Sequence, residues 1–310
     1  HPALGPLLPL YSGNELLLIP AATTRYRNRS HFDGQNTLEN GSGRSYGASD
    51  GWLNRALGGL IDGDRRLGLA LGPAVPLILQ GEARVQAWAS TRLAQVDDDF
   101  LSRLGQTYAH DPLFARALQD ARESLKPALD TSAMSGRSPQ NQDFLLSVKA
   151  AADLLSRPDG PRIAAMEVQG WDTHFGQQRR LGLLFADLAQ GIVALKQGLA
   201  SDWSRTVVVV VSEFGRTAAE NGSRGTDHGI GGLAVLAGGA VAGGRIAGVW
   251  PGLAEKALYE GRDLRPVNAY EGIFKSLMTG HLGLRPGFVE DKVFPDSRDV
   301  PAMEGLLRGT

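Results

Sequence analysis

Three short stretches of this chain carry residues able to hold a metal ion. GWDTH supplies Asp172 and His174, SEFGR supplies Glu213, and GTDHG supplies Asp227 and His228. Mixtures of imidazole and carboxylate suit zinc, manganese or iron, whereas all-oxygen sets suit magnesium or calcium. In extended backbone, residues i and i+2 project to one side, so Asp172 and His174 can reach a single ion together. Adjacent residues such as Asp227 and His228 point apart in a strand; in a glycine-flanked loop they converge on one ion or face two neighbouring ions. Each stretch also has a plain structural use. An Asp-His pair serves as a hydrogen-bonded turn, Asp-Thr as a helix N-cap, and Glu213 as an ion-pair partner for Arg216.

A second constellation lies in RSHFDGQNTLENG. Ser30 is placed to cap a helix, with Asp33 at the capping-box position and Gly41 at the end. A helix N-terminus offers unpaired N–H groups and the positive end of a dipole, which favours an anion there. A hydroxyl at that point beside a divalent cation can ionise and attack a phosphoryl or sulfuryl centre. Ser30 is thus a candidate nucleophile and His31, next to it, a candidate ligand or proton carrier. Arg216 is a candidate for stabilising charge on the transferred group.

These groups need a scaffold that brings them to one edge. NELLLIPAAT, Asn14 to Thr23, is a short apolar run that predicts a buried strand. Leu67 to Gly81 predicts a short strand and then a loop, broken by Gly72, Pro73 and Pro76. Arg162 to Gly170 predicts a strand, Gln177 to Ser201 a long amphipathic helix, and Arg205 to Gly215 another strand. The five valines Val207 to Val211 suit a strand buried on both faces, as parallel sheets require. Gly232 to Gly239 predicts a further strand, GGRIAGVWPGL an edge segment, and Tyr270 to Leu282 a late helix. Asn141 to Arg157 is also helical, and residues 97–140 predict an inserted helical cap or layer within one domain spanning 1–310. The alternation indicates an α/β fold, a mostly parallel central sheet sandwiched by helices. Ligands in such folds sit at the carboxyl ends of the strands, where GWDTH and SEFGR both fall.

Composition narrows the function classes. The 310 residues include 32 basic and 33 acidic side chains, a balance that argues against nucleic acid as the main partner. No run of some 18 purely apolar residues occurs, so no membrane span is expected. The absence of cysteine excludes a thiol nucleophile, thiolate zinc sites and disulfides, and leaves the compartment open. The start, His1-Pro2-Ala3-Leu4, lacks the charged region and apolar run of a signal peptide and reads like the middle of a protein.

The stretches HPALGPLLPLY, RSHFDGQNTLENG, GWLNRAL, GWDTHFGQ, SEFGRTAAENGSRGTDHG, GGRIAGVWPGL and GRDLRPV together resemble the bacterial domain-of-unknown-function family 1501. Through it the chain is similar to the alkaline-phosphatase-like (sulfatase-like) superfamily. That resemblance implies an alkaline-phosphatase-like core and a site for one or two divalent metals, zinc or manganese first, calcium or magnesium otherwise. Ser30 matches the helix-start position. Asp172 with His174 resembles the superfamily's Asp…His ligand segment at a shorter spacing. Glu213 stands where many members have the first residue of an Asp-His pair, with Phe214 replacing the histidine. His228 resembles a later lone histidine ligand, or Asp227-His228 is itself the displaced pair. The family also implies an upstream strand with an Asp-containing loop and a twin-arginine export signal, hence a periplasmic or exported protein. The chain begins downstream of both, so a truncated form or an incomplete site is expected. The implied activity is metal-dependent hydrolysis of phosphate or sulfate esters, on a small molecule or a polymer. The alternative is a non-catalytic ligand- or partner-binding member with a decayed site. A third option is mutase-like phosphotransfer, since RSHFDGQ resembles the serine-helix start of the metal-dependent phosphoglycerate mutases.

Overall fold

The computed structural model describes residues 1–60, 67–90 and 139–309, with a few isolated positions between 105 and 119. The helical cap expected at 97–140 lies almost wholly outside the described residues. Among the described residues, eight strands form two sheets. β1 (Leu16–Thr23), β5 (Val208–Val210), β6 (Gly232–Ala237) and β7 (Arg245–Ile246) make the larger, in the order β5-β6-β1-β7, with β8 (Asn268–Ala269) also pairing β1. β2 (Gly68–Leu71), β3 (Val85–Trp88) and β4 (Ile163–Met166) make the smaller, in the order β3-β2-β4.

A single, mostly parallel sheet was the expectation, and the fold departs from it. The smaller sheet is wholly parallel, but β6 runs antiparallel to both β1 and β5, so the larger sheet is mixed. The cause lies in the connection. A parallel neighbour needs a crossover, usually a helix, and the stretch between β5 and β6 contains none, so the chain returns antiparallel. This reversal brings the start of β6 to the edge where β1 and β5 end. Pro20, lacking an N–H, and a bulge at Ala21 (φ 53°) interrupt the β1–β6 ladder close to that edge.

Helices cover both faces. α1 (Leu8–Ser12), α4 (Pro139–Leu155) and α5 (Gln177–Leu199) lie on one side, where Leu10, Ala152, Ala189 and Ile192 pack with Leu16 and Ala237. α2 (His31–Asn40) leads the chain from β1 to α3 (Trp52–Gly59), which with α6 (Tyr270–Gly280) covers the opposite face. There Leu17, Ile19 and Leu236 meet Trp52, Ile273 and Phe274 in the main core. Four of these elements escaped the sequence patterns, α1, α3, β3 and β8; β3 has only four residues and β8 two. Gln177–Arg205, which is α5 with the turn after it, is long and apolar enough to cross a membrane by length and composition alone. Its apolar positions Ala189, Ile192 and Leu199 are packed in the layer described above.

Trp52 anchors the main core, with its ring stacked on Phe274 at 4.6 Å, a tilted contact to Phe294 at 5.1 Å, and its Nε1 donating to the Leu38 carbonyl at 3.0 Å. Trp52→Ala is expected to cost about 3–5 kcal/mol, measured as a fall in the urea unfolding midpoint; a loss under about 1 kcal/mol would remove Trp52 from the core's main supports.

Candidate metal centre

Four chain segments meet at the edge where β1, β4 and β5 end and β6 begins. The start of α2 brings His31, and the segment after β4 brings Asp172 and His174. The turn after β5 brings Glu213 and Arg216, and the loop before β6 brings Asp227 and His228. The last of these is threaded between two others by backbone contact. Thr226 N donates to Thr173 O at 3.2 Å, while Thr217 N donates to Asp227 O at 3.0 Å and Gly229 N to Gly215 O at 2.9 Å. Such closeness excludes side chains at two points. A Cβ at Gly225 would overlap the His174 backbone, and one at Gly229 would stand 2.5 Å from the Arg216 carbonyl. That explains the glycines on either side of Thr226-Asp227-His228.

Three imidazoles converge. His31 Nε2 stands 3.0 Å and His174 Nε2 2.9 Å from His228 Nε2. Asp172 completes the group: its Oδ1 lies 3.2 Å from His228 Nε2 and 3.0 Å from His174 Nε2, and its Oδ2 3.4 Å from His31 Nε2. The donor atoms of His31, Asp172 and His228 all fall within 4.8 Å of one another.

The other ring nitrogens each meet an acceptor. His31 Nδ1 faces Glu213 Oε1 at 2.6 Å, His174 Nδ1 faces Asp227 Oδ1 at 3.1 Å, and His228 Nδ1 faces the Arg29 carbonyl at 2.8 Å. All three partners are acceptors, so each Nδ1 is placed to donate to its partner while each Nε2 turns toward the common centre. Carboxylate or carbonyl support behind a histidine is the arrangement that orients metal-ligating imidazoles. Ligands about 2.0–2.1 Å from a tetrahedral ion stand roughly 3.3 Å apart. The spacings to His228 and Asp172 are close to that, and His31, Asp172 and His228 form a set that could hold one cation, with His174 beside His228 and Asp172.

The sequence-derived candidates therefore occupy different places. Asp172, His174 and His228 point donors at the centre, and so does His31. Glu213 and Asp227 stand behind His31 and His174. Arg216 does not pair with Glu213; its Nη1 donates to Asp172 Oδ1 at 2.5 Å, its Nε to Thr226 Oγ1 at 3.1 Å, and its Nη2 to the Thr226 carbonyl. Ser30 occupies the N-cap position of α2, but its side chain makes no capping hydrogen bond. The Ser30 N–H instead donates to the Tyr26 hydroxyl at 3.2 Å, and that hydroxyl lies 3.4 Å from Asp33 Oδ2, so Tyr26 takes the place of the expected capping box.

Electrostatics follow from the same contacts. Burial pushes the Asp172 carboxyl up, but the Arg216 guanidinium, His174 and His228 outweigh it and hold it below the usual carboxylate range. The Asn221 and His174 hydrogen bonds hold Asp227 low as well. Several contributors carried no sequence signal. Asn221 Nδ2 donates to Asp227 Oδ1 at 2.9 Å and to the His174 carbonyl at 3.0 Å. Arg29 is clamped by the fully buried Asp263 at 2.7 Å, which fixes the carbonyl that His228 uses. Phe214 lies under the imidazoles, 4.8 Å from the His31 ring and 5.0 Å from His228.

Gly225→Ala is expected to destabilise the chain by about 1–3 kcal/mol through overpacking. Gly222→Ala, where nothing lies within 4 Å, is the control. Equal urea midpoints for the two variants would contradict the threaded loop.

Neither a curated protein nor a solved structure matches the chain. A family does, over residues 2–270, and that extent includes every residue of the cluster. The chain belongs to the family described as Protein of unknown function (DUF1501).

Proposed function

We propose that this chain is a metal-dependent hydrolase of phosphate or sulfate esters with an alkaline-phosphatase-like core. One observation carries the proposal: three Nε2 atoms and the Asp172 carboxylate face one another at contacts of 2.9–3.4 Å. Such a set is mutually repulsive until a cation lies at its centre. Three nitrogens and one carboxylate suit zinc or manganese better than calcium or magnesium, which favour oxygen. Held there, a divalent ion supplies Lewis acidity toward the oxygens of an ester. His31, His174, His228 and Asp172 are the proposed ligands. Glu213 and Asp227 keep the Nδ1 protons of His31 and His174 in place, so the lone pairs stay aimed at the ion.

Ser30 precedes the ligand His31 at the positive end of α2 and serves as nucleophile or anion anchor. Its free hydroxyl, not engaged as a cap, supports this role. The substrate is a small-molecule or polymer ester, and export to the periplasm or cell surface goes with the superfamily resemblance. A second reading, a non-catalytic binder on the same fold, is favoured by Arg216. Its guanidinium is engaged with Asp172 and Thr226, which leaves it little freedom to meet a transferring group.

Elemental analysis of the purified protein is expected to find zinc or manganese, lost from a His174→Ala, His228→Ala double variant. Unchanged metal content in that variant would sink the site. With metal restored, p-nitrophenyl phosphate and p-nitrophenyl sulfate are expected to be hydrolysed, and Ser30→Ala to lose activity on the order of 10²-fold or more. Full metal occupancy with no turnover of either ester would decide for the binder.

A further inference from the structure

A small pocket of about 280 Å³ opens at the carboxyl end of β1, where Thr23 pairs with Ala269 of β8. Its lining joins Thr23, Thr24, Arg25 and Arg27 to Val267 and Asp299. None of the metal-cluster residues contributes to it, although Arg29, whose carbonyl supports His228, follows Arg27 by two positions. Ordinary ligand pockets measure roughly 300–1,000 Å³, so this one suits a single small group. The end of a strand is also where ligands sit in sheets of this kind.

Its two arginines are not equivalent. Arg25 has counter-charges: Nη2 donates to Asp299 Oδ1, and Nε lies 3.5 Å from Glu271 Oε1 in the first turn of α6. Arg27 meets no carboxylate among the described residues. Its Nη1 donates to the carbonyls of Thr24 at 2.6 Å and Tyr26 at 2.9 Å, which leaves Nε and Nη2 to face outward from that turn. Arg27 is exposed as a residue, yet burial of its guanidinium pushes it below the usual range, and the Arg25 charge adds to this. Glu271 offers it a weak counter-charge, because burial pushes that carboxyl up, towards its neutral form. A cation partly stripped of water and left without a carboxylate draws an anion. Two hydroxyls stand beside it. Thr24 Oγ1 accepts from the Tyr26 N–H at 3.1 Å and keeps its own proton to donate. Thr23 is 3% exposed, and its hydroxyl has no partner, which in a folded protein calls for an explanation.

We propose that this pocket binds a phosphate or sulfate group, held by the Arg27 guanidinium and the hydroxyls of Thr23 and Thr24. The unengaged groups of its lining are donors, which selects an acceptor-rich ligand. The carboxylate of Asp299 is already taken by Arg25, and Glu271, whose Oε2 is also unpartnered, is not part of the lining. A guanidinium presents a planar fork that meets two oxygens of an oxyanion at once. Hydroxyl donors beside that fork then call for a third oxygen, which a tetrahedral anion has and a carboxylate lacks. The small volume admits the anionic group alone, so it arrives either as the inorganic ion or as the end of a larger ester. The site stands apart from the metal cluster and does not depend on any chemistry there.

The test is calorimetric titration of the full chain with inorganic phosphate and with sulfate, after EDTA treatment so that no metal competes for the anion. Single-site binding is expected, weakened roughly tenfold or more by Arg27→Gln and roughly threefold or more by Thr23→Val. Thr23→Val removes an unpartnered buried hydroxyl at nearly constant shape. Without anion its urea midpoint is therefore expected to stay level or rise, so that lost binding reads the pocket and not the fold. Methyl phosphate binding more tightly than inorganic phosphate assigns the group to an ester, and equal or weaker binding assigns it to the free ion; both keep the site. Three results overturn it: no binding by the unaltered chain, equal weakening by Arg285→Gln at an exposed arginine, or loss only in the His174→Ala, His228→Ala double variant, which places the anion at the metal cluster.

Discussion

The convergence of ligands depends on backbone lying directly against backbone at residues 225–229. The loop passes between the segment after β4 and the turn after β5, bonded to each by main-chain hydrogen bonds. Gly225 and Gly229 make this possible because the places their side chains would occupy are filled by the backbones of His174 and Arg216. A loop held in this way has little freedom to swing. His228 is therefore aimed by the main chain, through its Nδ1 bond to Arg29 and through Arg262, which donates to its carbonyl at 3.0 Å. Preorganisation of this kind lowers the ordering cost that a metal ligand would otherwise bring to binding.

Charge is arranged in two tiers around that backbone frame. Asp172 is the carboxylate that faces all three imidazoles, and Arg216 shares it from the other side. Glu213 and Asp227 stand farther out, each taking an Nδ1 proton. Without the outer carboxylates the imidazoles could adopt either tautomer, and without Arg216 the inner carboxylate would lose its main counter-charge. The arrangement gathers three imidazoles around one carboxylate and sets an acceptor behind each ring. That is the electrostatic form of a cation site, and it follows from the direction of a few hydrogen bonds rather than from the number of acidic residues.

Much of the edge was legible in the sequence because it lies where local pattern is strong. The apolar runs before Asp172 and Glu213, and the glycines bracketing Asp227-His228, announce strands and a tight loop. Spacing cannot tell a carboxylate that faces an ion from one that backs a histidine. Glu213 and Asp227 were placed with the ligands for that reason, although their partners are His31 and His174, 182 and 53 residues away. The same limit hid Arg29 and Asn221, whose contributions run through a carbonyl and an amide. The mixed sheet was hidden differently. Strand direction is set by the connection, and the glycine-rich stretch before β6 gave no sign of being a return instead of a crossover. Residues 97–140 fall almost wholly outside the described part of the chain.

The cluster spans the gap between the two sheets. Asp172 and His174 belong to the β4 side of the gap, while Glu213, Arg216 and His228 belong to the side of β5 and β6. The contacts between Asp172 and Arg216, and between His174 and His228, therefore cross from one sheet to the other at its carboxyl edge. Below that edge the strands are not hydrogen-bonded to each other, and the bridging is left to helices α4 and α5 and the main core. Because donors from both sides meet at one point, a cation bound there would act as a clasp between the sheets, and its binding energy would become folding energy for the pair.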